Sequence, residues 1–156
     1  MSSTLARNTA AAAAAVAGLA ALPGVAAGDA VYHTQHMALT PVGDAPLRSG
    51  YVQNIKANGP TIYAHEIYVL NGARARTTYT VTRDFFFQDP ACTGELVFHE
   101  DVATLRTNAS GNAQGDAFVE PADVVGFEGV HGVTWTVRDA TGTVAYRTTC
   151  TAVTLD

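Results

Sequence analysis

The segment Val133-Thr134-Trp135-Thr136-Val137-Arg138 alternates apolar and polar residues without a break. Successive side chains of a strand point to opposite faces, so this segment offers Val133, Trp135 and Val137 to a core and its other face to water. Trp135 is accordingly expected to be buried. The same rhythm recurs in stretches rich in Thr, Val, Tyr and Phe at 31–39, 51–57, 61–70, 77–87, 95–99, 102–107, 114–119 and 144–153. Between them stand turn formers, among them Asn58-Gly59-Pro60, Asn71-Gly72, Asp89-Pro90, Ser110-Gly111-Asn112 and Thr141-Gly142, which tolerate positive φ or preset a turn. Past residue 30 no window sustains the i, i+3, i+4, i+7 apolar pattern of a helix, and 120–126 is the one segment that suggests a helical turn. The pattern predicts an all-β fold, an antiparallel sandwich of about 7–9 strands. Uneven strand lengths favour a sandwich over a closed barrel.

Two places disturb the alternation. In 77–87, Tyr79, Val81, Phe85 and Phe87 share a side that Arg83 interrupts, which points to a bulge or an edge strand. Phe85-Phe86-Phe87 also breaks the period, so at least one of these rings must leave the core face.

The first 27 residues read as a secretory signal peptide. Arg7 precedes the apolar run 9–22, Pro23-Gly24 break it, and Val25-Ala26-Ala27 supplies the small residues of a cleavage site. The run falls short of the roughly twenty residues that a membrane span requires. Cleavage after Ala27 leaves 28–156 as a single, secreted domain with no membrane span. Cys92 and Cys150 both lie in that domain, and an oxidising compartment predicts a disulfide between them. A pair so far apart in sequence suits a tie between the two sheets. Without Arg7 the 9 basic residues become 8 against 14 acidic ones, scattered rather than clustered, which excludes nucleic acid as an expected partner.

The segment Leu70-Asn71-Gly72-Ala73-Arg74-Ala75-Arg76-Thr77-Thr78-Tyr79-Thr80-Val81 resembles the strand, corner and strand of fibronectin-III-like and immunoglobulin-like modules. Leu105-Arg106-Thr107-Asn108-Ala109-Ser110-Gly111-Asn112-Ala113 is similar to a hairpin of secreted bacterial sandwich domains, including the neocarzinostatin-like antibiotic carriers. The resemblance implies an immunoglobulin-like sandwich. Those carriers hold two short-range disulfides, whereas this chain has one long-range cysteine pair, and no specific family is assigned.

Candidate chemistry is sparse. His33 and His36 fall an odd number of positions apart, so a regular strand would point them to opposite faces, and the H-x-H spacing of copper-zinc superoxide dismutases is missing. His65 and His99 remain the candidates for ligands converging from separate strands, beside His131. The expectation is no metal and no cofactor. Beyond the leader only Ser49 and Ser110 carry a hydroxymethyl group, each next to glycine, and no G-x-S-x-G elbow occurs. Glu120, Asp123 and Glu128 gather in a Pro/Gly-rich loop, where three carboxylates are few for a calcium site. The expected function is therefore a secreted, non-enzymatic binding or envelope-associated module, its partner an extracellular protein, glycan or small molecule. Two alternatives stand beside it. One is a carrier of a small apolar ligand with a cleft lined by Tyr63, Tyr68 and Phe86; the other is a histidine-dependent metal-binding protein.

Overall fold

A computed structural model describes residues 33–156. The expected signal peptide, 1–27, lies outside the described residues. Among the described residues ten strands form two antiparallel sheets packed face to face. They are β1 (His33–Ala38), β2 (Thr40–Pro41), β3 (Ser49–Lys56), β4 (Ala64–Asn71), β5 (Thr78–Phe86), β6 (Phe98–Arg106), β7 (Ala113–Val119), β8 (Gly129–Asp139), β9 (Val144–Arg147) and β10 (Thr151–Leu155). The first sheet has the order β1-β3-β4-β7, and the second runs β2-β9-β8-β5-β6 with β10 also paired to β8. The fold is thus the β-sandwich that the alternation predicts. In the immunoglobulin arrangement a strand crosses between sheets after the second strand, whereas here β3 and β4 form a hairpin inside one sheet.

The N-terminal strand serves both sheets. It pairs with β3 through Ala38 and with β9 from Thr40, and Leu39 between them turns inward while its N–H donates to Gly50 O at 2.9 Å. The stretch 144–153, expected as one strand, is two. β9 and β10 occupy successive parts of one edge of β8, and Thr148 bridges the break by donating its N–H to Trp135 O and accepting the Trp135 N–H on Oγ1, both at 3.0 Å. The stretches 95–99 and 102–107, expected as separate strands, are replaced by the single strand β6, with 95–97 left outside it. The register jumps there from Val81↔Ala103 to Thr82↔Asp101, which leaves Val102 as the extra residue of a bulge.

The bulge therefore sits on β6, and β5 runs without interruption along β8. Arg83 stays on the inward side with Tyr79, Val81 and Phe85, and its explanation lies in what it meets there. Of the three consecutive phenylalanines, Phe85 is buried, Phe86 points to the other side of β5, and Phe87, expected on the side of Phe85, lies past the strand end and is 41 % exposed. Trp135 is fully buried with Val133 and Val137 beside it.

Cys92 and Cys150 are bonded, with Cα atoms 5.9 Å apart. The bond joins the β5–β6 loop to the β9–β10 break, so it ties two connections of the second sheet rather than one sheet to the other. On the chain-entropy model, closing so long a loop stabilises the fold by about 4 kcal/mol. The loop lies so close on β8 that a Cβ at Gly132 would meet Asp89 O at 2.2 Å and Cys92 Sγ at 2.7 Å. Only glycine fits there. Asp89 shapes the same loop, accepting the N–H groups of Thr93 and Gly94 at 2.6 Å each, and these bonds hold its carboxyl below the usual range. The segment 120–126 does contain a helical turn, a 3₁₀ turn at Pro121–Val124.

Candidate functional site

The space between the sheets is filled at one end and open at the other. Along the inward face of β3 the residues change from Val52 to Asn54 and Lys56, along β4 from Leu70 and Tyr68 to Glu66, and along β5 from Tyr79 and Val81 to Arg83. Where these polar groups begin, the sheets enclose a cleft of about 300 Å³. That volume lies at the small end of ligand pockets.

Glu66 anchors the cleft floor and is 2 % exposed. Arg83 Nη1 donates to its Oε1 at 2.9 Å, Trp135 Nε1 donates to its Oε2 at 3.0 Å, and the Tyr68 hydroxyl donates to the same oxygen. A buried carboxylate is tolerated only when its charge is paired and its oxygens are hydrogen-bonded, and three donors from three strands meet that condition. Arg83 continues the line outward, its Nη2 reaching Glu100 Oε2 at 2.7 Å on β6. Burial opposes the Arg83 charge, but Glu66 and Glu100 more than offset it and raise the pKa above its ordinary value. Burial, reinforced by the adjacent Glu66, likewise pushes the Tyr68 hydroxyl well up. Tyr68 thus remains a proton donor to the carboxylate.

One wall is aromatic. Phe85 and Phe98 stack with ring centroids 4.7 Å apart and planes 11° from parallel, and Phe127 meets both edge-on at 5.8 and 6.1 Å. His131, fully buried behind this wall, accepts the Gln88 N–H on Nδ1 at 3.0 Å and donates from Nε2 to Phe127 O at 2.7 Å. Both ring nitrogens are thereby committed, and the second fixes the backbone that presents the Phe127 ring. On the opposite wall Lys56 is held by Thr154 O at 2.8 Å and by the Asp156 carboxylate, which also raises its pKa against the opposing effect of burial.

The remaining sequence candidates are dispersed. His65 stacks on Phe118 at 4.4 Å and reaches Asp116 at 3.1 Å on the outer side of the first sheet, while His99 pairs with Asp84 on the outer side of the second. They do not converge. His36 packs against Tyr51, and no group of three metal-ligating residues forms among the described residues. Glu120 and Asp123 exchange hydrogen bonds as a capping box for the 3₁₀ turn, and Glu128 accepts the Gly126 N–H at 3.4 Å. Those carboxylates serve the loop. Of the aromatic residues expected to line a cleft, Tyr63 does so, whereas Tyr68 lies fully buried against Glu66 and Phe86 faces away from the inward series of β5.

The sequence pattern assigned no role to Glu66, Glu100 or Asn54, and it read the interruption at Arg83 as a bulge or an edge strand rather than as a buried ion pair. The signal was present: Arg83 interrupts the inward face of one strand and Glu66 that of another, opposite charges that can only be buried together.

Fold and cleft define an antiparallel β-sandwich with an inter-sheet cavity floored by a buried ion pair. In comparisons with known proteins no family model matches the chain, and no curated protein or solved structure matches it.

Proposed function

We propose that this chain is a non-enzymatic binding domain that holds a small, largely apolar molecule between its sheets. The observation that carries the reading is the contrast inside a single core: one half closes on itself, and the other keeps a cleft of about 300 Å³ with an aromatic wall. Protein interiors otherwise pack to the density of organic crystals. Glu66 accepts from three donors and is paired with Arg83, which suits an anchor better than a proton-transfer group. Export belongs to the same proposal. The disulfide supports an oxidising compartment, and no helix among the described residues is long and apolar enough to cross a membrane.

Trp135 lines the cleft, so its emission reports occupancy. Titration with a neutral apolar probe, phenylbutanol, is expected to give a saturable change in that emission. The variant Val153→Trp, which fills the cleft from β10, is expected to abolish it. Absence of saturation in the parent protein, or an unchanged response in the filled variant, would overturn the reading.

A further inference from the structure

We propose that the molecule taken by this cleft is an organic cation, a protonated amine on an apolar body. The inference rests on the cleft being a binding site and concerns the head group it selects. Two independent observations point the same way.

The first is a charge imbalance on the floor. Glu66 and Glu100 both bond to Arg83, two negative charges to one positive, so the line of three carries one excess negative charge. The other cation of the cleft, Lys56, is committed to Asp156 and to Thr154 O. An anionic ligand would find each of these cations already paired and a surplus carboxylate facing it. A cation beside the half-exposed Glu100, which lines the cleft, would neutralise the surplus.

The second is an acceptor without a donor. Asn54 projects into the cleft from β3, is 6 % exposed, and its Oδ1 is buried with no hydrogen-bond partner among the described residues. Leaving such a group unpaired is costly, so its persistence points to a partner that arrives with the ligand. What Oδ1 requires is an N–H or O–H donor, and an ammonium group supplies up to three. Phe85, Phe98 and Phe127 then provide faces and edges for the apolar body, and the ring faces also attract a cation.

The test compares three probes that share one body and differ at the head: phenylbutylamine, phenylbutanol and phenylbutyrate, titrated at neutral pH by calorimetry. The amine is expected to bind about tenfold more tightly than the alcohol, equivalent to about 1.4 kcal/mol, and the carboxylate most weakly. Glu100→Gln, at a half-exposed position where folding is little affected, is expected to erase the advantage of the amine and leave the alcohol unchanged. Asn54→Leu is expected to weaken amine and alcohol alike. Equal binding of all three heads, tighter binding of the carboxylate, or an amine preference indifferent to Glu100→Gln would overturn the cation inference while leaving the cleft as a binding site. Failure of every probe to bind would remove the cleft reading itself, and the inference with it.

Discussion

The two halves of the inter-sheet space are built from the same strands and yet follow different rules. In the closed half Val52, Leu70, Val81, Leu105 and Val137 are all but fully buried, and the polar atoms present are spent internally. Tyr79 and Tyr146 place their hydroxyls 3.2 Å apart, and Tyr146 donates onward to Pro46 O at 2.8 Å. The Thr107 hydroxyl donates to Arg74 O at 2.7 Å and accepts the Thr77 N–H at 2.8 Å, pinning the corner between the sheets. In the open half the inward positions carry Asn54, Lys56, Glu66 and Arg83, the walls stand apart, and an oxygen of Asn54 is left without a donor. Apolar packing supplies the stability of the first half. The second holds charges whose removal from water is costly, and replacing such pairs by apolar residues is often neutral or stabilising. Buried charge at that end is therefore better explained by recognition than by stability.

The comparison can be broken, or sharpened, by substitution. The largest effect is expected from Glu66→Ala, which strips Arg83, Tyr68 and Trp135 of their shared acceptor; loss of about 3–5 kcal/mol in urea unfolding is the expected outcome. Less than about 1 kcal/mol would mean that water already reaches the floor and that this end is not a buried site. In the closed half Leu105→Ala is expected to cost about 2–5 kcal/mol through lost contact and a residual cavity. Its probe affinity is expected to equal that of the parent, and a change in both would show the two halves to be coupled.

Overpacking separates the halves more finely. Val137→Leu, in the closed half, is expected to cost about 1–3 kcal/mol because its neighbours cannot give way. Val153→Leu, beside the cleft, has space to enter, and its melting temperature is expected to stay close to that of the parent. Equal penalties at the two sites would contradict the difference in packing. The smallest effect concerns the end of the chain. Lys56 holds the Asp156 carboxyl below its ordinary value of 3.8 in the folded protein. A depressed folded-state value contributes stability above the unfolded value that is lost as the pH falls through the folded one. A slight acid-side loss that Asp156→Asn abolishes is the expected pattern in unfolding curves between pH 5 and pH 2, roughly the range in which carboxylates of this kind titrate.

Much of the sandwich was legible in the residues. Alternation in 133–138 put Trp135, Val133 and Val137 on the core face, and the turn formers divided the strands close to their observed ends. Cysteine parity with compartment gave the Cys92–Cys150 bond. The divisions that failed did so where a neighbouring strand decides the outcome. Thr148 breaks 144–153 because Trp135 offers it both an N–H and a carbonyl, and 98–106 becomes one strand because β5 pairs along its whole length while Val102 is accommodated as a bulge.

For the site the balance is different. The sequence by itself determined which faces of the strands carry apolar groups, since a period of two is local and depends on the chain alone. It also held the irregularity at Arg83, but without the means to resolve it: the residue that answers that charge, Glu66, lies on the other sheet, and Glu100 on the next strand over. Local pattern cannot say which strands face one another. Only the packing of β4 against β5 and β8 turned Glu66, Arg83, Tyr68 and Trp135 into one hydrogen-bonded cluster, and only the sheet separation at that end left room beside it. It likewise sent His65 and His99 to opposite outer faces, where chain order had left their meeting open. Charges and cavities are properties of pairs of surfaces, and those pairs exist only once the sheets have closed.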